Sequence, residues 1–278
     1  MGRLAVINTP LRWQVWERIN RSHPDEQFAE YVVSSLRDGF WIGFSYPRPC
    51  RSSIDNMHSA REHAQVVRDY LSNECAEGRI VGPLPLPGSK EIHVSRFGVT
   101  PKGSSGKWRL IFDLSSPEGA SVNDGIDSNL CSLKYATIDQ AAELMLRLGR
   151  GALMAKVDID QAYHRISVHP DDRWLLGMCF EGVTYMDTVL PFGLRRGVIN
   201  IMHYLDDIFT IGSPQTVECI SNLVAMRTVF DNLGVPLAEH KTVGPATSIV
   251  FLGVKLDSCH LLLSLPDEKL RDLKALIQ

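Results

Sequence analysis

The sequence predicts an α+β fold. Helical stretches with recognisable start and stop signals are interspersed with short apolar runs, and those runs are joined by loops too short for crossover helices, so they pair as antiparallel hairpins. A Gly- and Ser-rich loop and a Glu-Gly turn mark two of the hairpins, and a Thr/Gln capping box marks one of the helices.

In chain order, Pro24-Asp25 is a helix-start signal, and Phe28, Tyr31, Val32 and Leu36 recur at helical spacing until Gly39. A second helical stretch covers roughly Met57 to Cys75, with SYPRPCRSS between the two as an irregular loop. The segment VGPLPLPGS, residues 81–89, holds three prolines and two glycines and reads as an extended connector. It divides an N-terminal helical extension, residues 1–80, from the remainder, residues 81–278. Strands near 92–99 and 108–114 flank TPKGSSGK, a hairpin tip. Thr137 and Gln140 then open a helix that places Leu144, Met145 and Leu148 on one face and stops at Gly149. Residues 152–157 form a short buried strand, and 174–180 with 183–190 a hairpin around Glu181-Gly182. A further hairpin joins 199–204 to 208–211 with Asp206 and Asp207 at its tip. A helix from about Thr216 ends at Gly234, a strand at 249–256 pairs with 260–265, and a last helix begins at Asp267.

The chain has 278 residues, 44% of them hydrophobic, which allows one large or two ordinary domains. With 29 basic and 32 acidic residues its net charge is -3, so no global positive field draws it to nucleic acid or membrane and any polyanion site must be local. Six cysteines at wide intervals, with no CxxC pair, suit reduced thiols inside a cell. No apolar run reaches the 18 or so residues of a membrane span, the N-terminus lacks a signal-peptide core, and Val6 breaks the myristoylation pattern. These features predict a soluble intracellular protein, nuclear or cytoplasmic, with no membrane partner.

Two acidic clusters follow apolar strands: Asp158 and Asp160 after LMAKV, and Asp206-Asp207 after INIMHYL. An Asp-x-Asp is by itself more often a solvated strand end, but an Asp pair inside an apolar hairpin is costlier to explain that way. If the two strands are neighbours, three carboxylates meet at one sheet edge, where bound cations or protonation must relieve their repulsion. Oxygen-only ligands favour Mg²⁺, which prefers carboxylates plus substrate phosphates and so points to phosphoryl or nucleotidyl transfer. Upstream, Lys90, Arg96, Lys102, Lys107 and Arg109 against Glu91 give a local charge of about +4, either a triphosphate or backbone clamp or a solvated basic loop.

The order of these motifs resembles a reverse transcriptase, most closely those of the DIRS/Ngaro group of tyrosine-recombinase retrotransposons, over roughly residues 20–278. The anchors are GVTPKGSSGKWRLIFDLSSPEGASVNDGI, KVDIDQAYHRISVHPDDRWLLGM, LPFGLR, YLDD, LGVPLAEHK and FLGVKLD. The resemblance implies the fingers and palm of a right-hand polymerase, without a thumb in this chain. It implies an RNA-directed DNA polymerase that uses an RNA or DNA template, a primer 3′ end and dNTPs. Asp158, Asp206 and Asp207 become the ligands of two Mg²⁺ ions, with Mn²⁺ as the alternative, while Asp160 is not a ligand. Lys102 and Arg109 would grip the triphosphate, Tyr163 would be the steric gate against a ribose 2′-hydroxyl, and Phe192 and Gly193 would border the nucleotide. Lys241 would stand near the leaving group, although a surface lysine reads equally well there.

One departure from the family pattern stands out. LPFGLR would open a long palm helix, yet here only 11 residues separate Phe192 from Tyr204. A helical turn takes about 3.6 residues, so no multi-turn helix fits if 198–203 is strand, and by resemblance roughly twenty residues are missing near 195–197. The expectation is an impaired polymerase. A catalytically silent nucleic-acid-binding remnant and a non-functional gene-model fragment are the alternatives.

Overall fold

The computed structural model describes residues 7–45, 55–84, 92–102, 106–127, 137–194 and 207–277. The chain packs as two compact units, Met1–Ser132 with Tyr163–Asn200, and Leu133–Ala162 with Ile201–Gln278.

The first unit begins with α1 (Trp13–Asn20) and α2 (Glu26–Asp38). Asp25 caps α2 by accepting from the Phe28 amide at 2.9 Å, and Gly39 ends it at φ +96°, as the spacing predicts. The helix expected over 57–75 is two: α3 (His58–Glu62) and α4 (Ala64–Ala76), broken at His63 with φ -112° and ψ 44°. Tertiary contacts set the break, because α3 is tied to a neighbouring strand. The Met57 amide donates to Phe97 O at 2.9 Å and the Val99 amide to Ser59 Oγ at 3.0 Å.

The start of the proline-rich segment is not connector but strand: β1 (Ile80–Leu84) pairs with β6 (Val183–Asp187), which also pairs with β5 (Gly177–Phe180). Glu181 at φ 50° and Gly182 at φ 79° make the expected two-residue turn between β5 and β6. Trp174 and Leu175, expected within the strand, belong instead to a single 3₁₀ turn, Arg173–Leu175. β2 (Arg96–Pro101) and β3 (Trp108–Asp113) form the expected antiparallel hairpin, with Thr100 opposite Arg109. Phe97, Phe112, Leu114 and Ile126 are fully buried here.

The second unit is built on a three-stranded antiparallel sheet with β4 (Leu153–Asp158) between β7 (Asp207–Gly212) and β8 (Val243–Ala246). Alternation on β4 sends Met154 to one face, against Met145, Ile249, Phe251 and Leu256, and Ala155 and Val157 to the other, against Cys219 and Leu223. The first face is covered by α5 (Ile138–Leu148), the second by α6 (Glu218–Leu233). The Thr137–Gln140 capping box is present, but Leu144, assigned to the inward face of α5, is 37% exposed and Ala141 takes its place beside Met145.

The single strand expected at 249–256 is two, β9 (Ser248–Phe251) and β10 (Val254–Asp257), folded on each other, with β11 (Leu262–Ser264) on the far side of β10. Leu252 at φ 46° and Gly253 at φ 76° make a type I′ turn. An unbroken apolar run hides it, since Leu is not a residue that announces positive φ. The last helix, α7 (Asp267–Ile277), starts where expected. No helix among the described residues is long and apolar enough to cross a membrane. The described cysteines, Cys75, Cys179, Cys219 and Cys259, are free thiols. The strand expected at 199–204, the tip at 103–105, Lys90, Asp206 and the 195–197 junction lie outside the described residues.

Candidate functional site

In the second unit, Asp158 closes the central strand β4, and its register partner on β7 is Asp207, so the two aspartates are opposed across the ladder. Asp207 is the first residue of β7, and the other arm of the expected hairpin lies outside the described residues. Directly opposed residues of an antiparallel pair project from the same face with Cα atoms about 4.5–5.5 Å apart. Two ionised carboxylates about 5 Å apart would repel by roughly 3 kcal/mol at an effective dielectric near 20. Their side chains are 13% and 25% exposed, and each has a cation: Lys241 Nζ lies 2.7 Å from Asp158 Oδ1, and Lys156 Nζ 3.1 Å from Asp207 Oδ1.

Lys241 reaches Asp158 because the chain after α6 returns along β4. Gly234 ends α6 in the left-handed conformation, Leu237 bridges Ile159, and the Ala238 amide donates to Asp158 O at 2.8 Å. A 3₁₀ turn, Glu239–Lys241, then places the lysine. The Asp160 amide donates to Pro236 O at 2.9 Å. Lys156 was missed at the sequence level, although its position two residues before Asp158 puts it on the same sheet face. Among the described residues no group of three or more His, Cys, Asp or Glu could hold a metal. The third expected ligand, Asp206, lies outside them. The opposed pair offers an all-oxygen donor set, the ligand chemistry of a hard divalent cation, with Lys241 and Lys156 each occupying one carboxylate oxygen.

In the first unit, four residues assigned to nucleotide contact meet around one ring. The Phe192 centroid lies 4.9 Å from that of Tyr163, tilted by 54°, and the Arg109 guanidinium stands 5.6 Å from the same centroid in cation–π geometry. Phe192 is 40% exposed, so the group is open to solvent. Gly193 fixes the ring's backbone. Its φ is +110°, a Cβ there would stand 2.2 Å from Phe112 O, and Asn123 Nδ2 donates to Gly193 O at 2.9 Å. Only glycine allows LPFG to lie this close to β3. Asn123, buried and also bonded to Ser115 Oγ at 2.7 Å, is a positioning residue that sequence reasoning overlooked. The Asn-Asp-Gly turn signal was visible, but its partner 70 residues away was not.

The basic segment is less uniform than its charge suggests. Arg96 pairs with Asp113 at 2.7 Å. Lys102 sits past the end of β2, its amide donating to Lys107 O at 2.7 Å across the loop. The structure therefore gathers Arg109, Tyr163, Phe192 and Gly193 in one unit, and Asp158, Asp207 and Lys241 in the other.

Two solved structures share this arrangement of elements. The foamy viral protease–reverse transcriptase in complex with double-stranded DNA superposes with a TM-score of 0.63 at 16% identity, over 95% of this chain and 49% of that one. The foamy viral protease–reverse transcriptase in complex with an RNA/DNA hybrid gives 0.59 at 15%, over 95% and 37%. The chain has a reverse-transcriptase-like fold. By sequence, the Pro-Pol polyprotein of simian foamy virus type 1 is 23% identical over 165 residues, 54% of this chain and 13% of the polyprotein. The genome polyprotein of petunia vein clearing virus is 25% identical over 126 residues, 40% of this chain and 6% of its own length. The chain thus spans about half the length of the first solved structure and matches a small part of each polyprotein. No family profile matches it.

Proposed function

We propose that this chain is the fingers and palm of a retrotransposon-derived RNA-directed DNA polymerase of the DIRS/Ngaro group, acting inside the cell to add dNTPs to a primer 3′ end on an RNA or DNA template. The observation that carries this reading is the opposed pair Asp158–Asp207 at paired strand ends, a two-carboxylate seat in a fold of the reverse-transcriptase kind.

In this reading Asp158, Asp206 and Asp207 hold two Mg²⁺ ions, or Mn²⁺. Ions held there would supply Lewis acidity, lowering the pKa of a hydroxyl nucleophile and neutralising charge on a departing pyrophosphate. Arg109 and Lys102 bind the triphosphate through charge-assisted hydrogen bonds. Tyr163 fills the space of a 2′-hydroxyl, and Phe192 packs on the nucleotide, with Gly193 setting its distance. Lys241, 44% exposed, exchanges its contact with Asp158 for one with the leaving phosphate.

We hold the chain to be impaired. Only five residues separate Phe192 from the strand expected at 198–203, too few for a multi-turn helix at about 3.6 residues per turn. A misplacement of about 1 Å at a catalytic centre costs on the order of a hundredfold. The test is Mg²⁺-dependent primer extension on an RNA template by three proteins: the chain itself, the chain with a family segment of about twenty residues inserted between Arg195 and Arg196, and that insertion carrying Asp206→Asn. Extension restored by the insertion and abolished by Asp206→Asn is expected. Robust extension by the uninserted chain refutes the impairment. Calorimetric Mg²⁺ binding unaltered by Asp158→Asn and Asp207→Asn refutes the metal seat and favours a silent nucleic-acid-binding remnant.

A further inference from the structure

Behind the aromatic pair of the first unit lies a buried charge array that the nucleotide reading leaves unused. Arg79 Nε and Nη2 donate to the two carboxylate oxygens of Glu74 at 2.5 and 2.9 Å, and both side chains are about nine-tenths buried. A bidentate pair of this kind is held rigidly in place. His164 Nδ1 stands 3.6 Å from Glu74 Oε2, its side chain 12% exposed, and its ring centroid lies 5.6 Å from that of Phe192. One imidazole therefore faces the Glu74–Arg79 pair on one side and the exposed Phe192 ring on the other.

The backbone is tied around it. The Leu190 amide donates to Ile166 O at 2.9 Å, Ser167 bridges Val189, and the Thr188 amide donates to Arg79 O at 2.8 Å. The segment entering LPFG is thus fastened both to the residues after His164 and to Arg79. Among the described residues, Arg109, Tyr163 and His164 border the Phe192 ring. The first two are assigned to the ligand, and His164 is the one backed by a buried ion pair.

We infer that His164, packed between the Glu74–Arg79 pair and the Phe192 ring, is the positioning residue that sets Phe192 against Tyr163 and thereby the sugar discrimination of the nucleotide pocket. The inference rests on reading Tyr163 and Phe192 as the wall of a dNTP site. A ring on a two-torsion side chain keeps its tilt only if packing fixes it, and a gate shifted by a fraction of an ångström no longer excludes one hydroxyl.

The test measures dissociation constants of dATP and ATP, with Mg²⁺ and primer–template, together with thermal midpoints. The proteins are the full chain and its variants His164→Ala, His164→Gln, Phe192→Ala, His164→Ala/Phe192→Ala and Arg109→Ala. His164→Ala should narrow the ATP-to-dATP ratio by about fivefold, some 1 kcal/mol of discrimination. His164→Gln, which keeps a planar polar side chain beside Glu74, should recover part of it, and the double variant should match Phe192→Ala. A ratio unmoved in both His164 variants, with only the midpoint lowered, overturns the inference while nucleotide binding lost in Arg109→Ala upholds the site. Binding indifferent to Arg109→Ala overturns the nucleotide site and the inference with it.

Discussion

Replacing Gly193 by Ala tests the placement of LPFG most directly, because three separate costs fall on one methyl group. The glycine sits at φ +110°, where an L side chain is strained by about 1–3 kcal/mol. The new Cβ would be built 2.2 Å from Phe112 O, a backbone atom that cannot rotate away, so the chain must shift. That shift stretches the 2.9 Å hydrogen bond from Asn123 to Gly193 O, worth about 0.5–1.5 kcal/mol net. The sum is about 3 kcal/mol or more, which for a domain of this size lowers the thermal midpoint by roughly 6–12 °C. Asn123→Ala removes only the hydrogen bonds and should cost about 1–2 kcal/mol. Denaturant or thermal unfolding of the two variants beside the parent chain measures both. A Gly193→Ala variant within about 0.5 kcal/mol of the parent would refute the close approach of LPFG to β3 and, with it, the account of how Phe192 is aimed.

Arg109→Ala should weaken dNTP binding about tenfold or more while sparing primer–template affinity, and Lys102→Ala should act in the same direction; equal, salt-dependent losses in both assays would indicate a generic polyanion patch instead. Asp187 is buried on β6 near Glu74, and burial first, then the neighbouring carboxylate, holds its carboxyl well above the usual 3.8. The fold therefore favours its neutral form. That contribution is full below the unfolded value and is lost as pH rises through the folded one. Urea midpoints of the parent chain should accordingly fall, relative to Asp187→Asn, as pH rises above the ordinary carboxylate range, and parallel midpoints would contradict the assignment. Thr137→Ala removes the cap of α5 and should cost about 1 kcal/mol by thermal unfolding, with an unchanged midpoint showing that the capping box is idle.

The sequence was most legible where the determinant is local. The Asp25 and Thr137 caps, the Glu181-Gly182 turn and the glycines ending α2, α5 and α6 act through neighbours within a turn of chain, so residue type alone announces them. It failed where tertiary contact outweighed local preference. The helix over 57–75 breaks at His63 because Met57 and Ser59 bind β2, and the run through Leu252 folds back because pairing of β9 with β10 supports a positive φ that leucine does not favour alone.

By itself, then, the sequence determined the α+β class, most helix and turn positions, and which carboxylates and cations were candidates for chemistry. The tertiary structure alone decided that Asp158 and Asp207 are register partners, that Lys156 and Lys241 neutralise them, and that Arg109, Tyr163, His164 and Phe192 surround one another. The reason is physical. A cap or a two-residue turn is fixed by bonds spanning three or four residues, whereas strand register and the packing of one ring depend on groups far apart in the chain, 51 residues for Lys156–Asp207 and 83 for Lys241–Asp158, whose meeting is settled by the burial of the whole core.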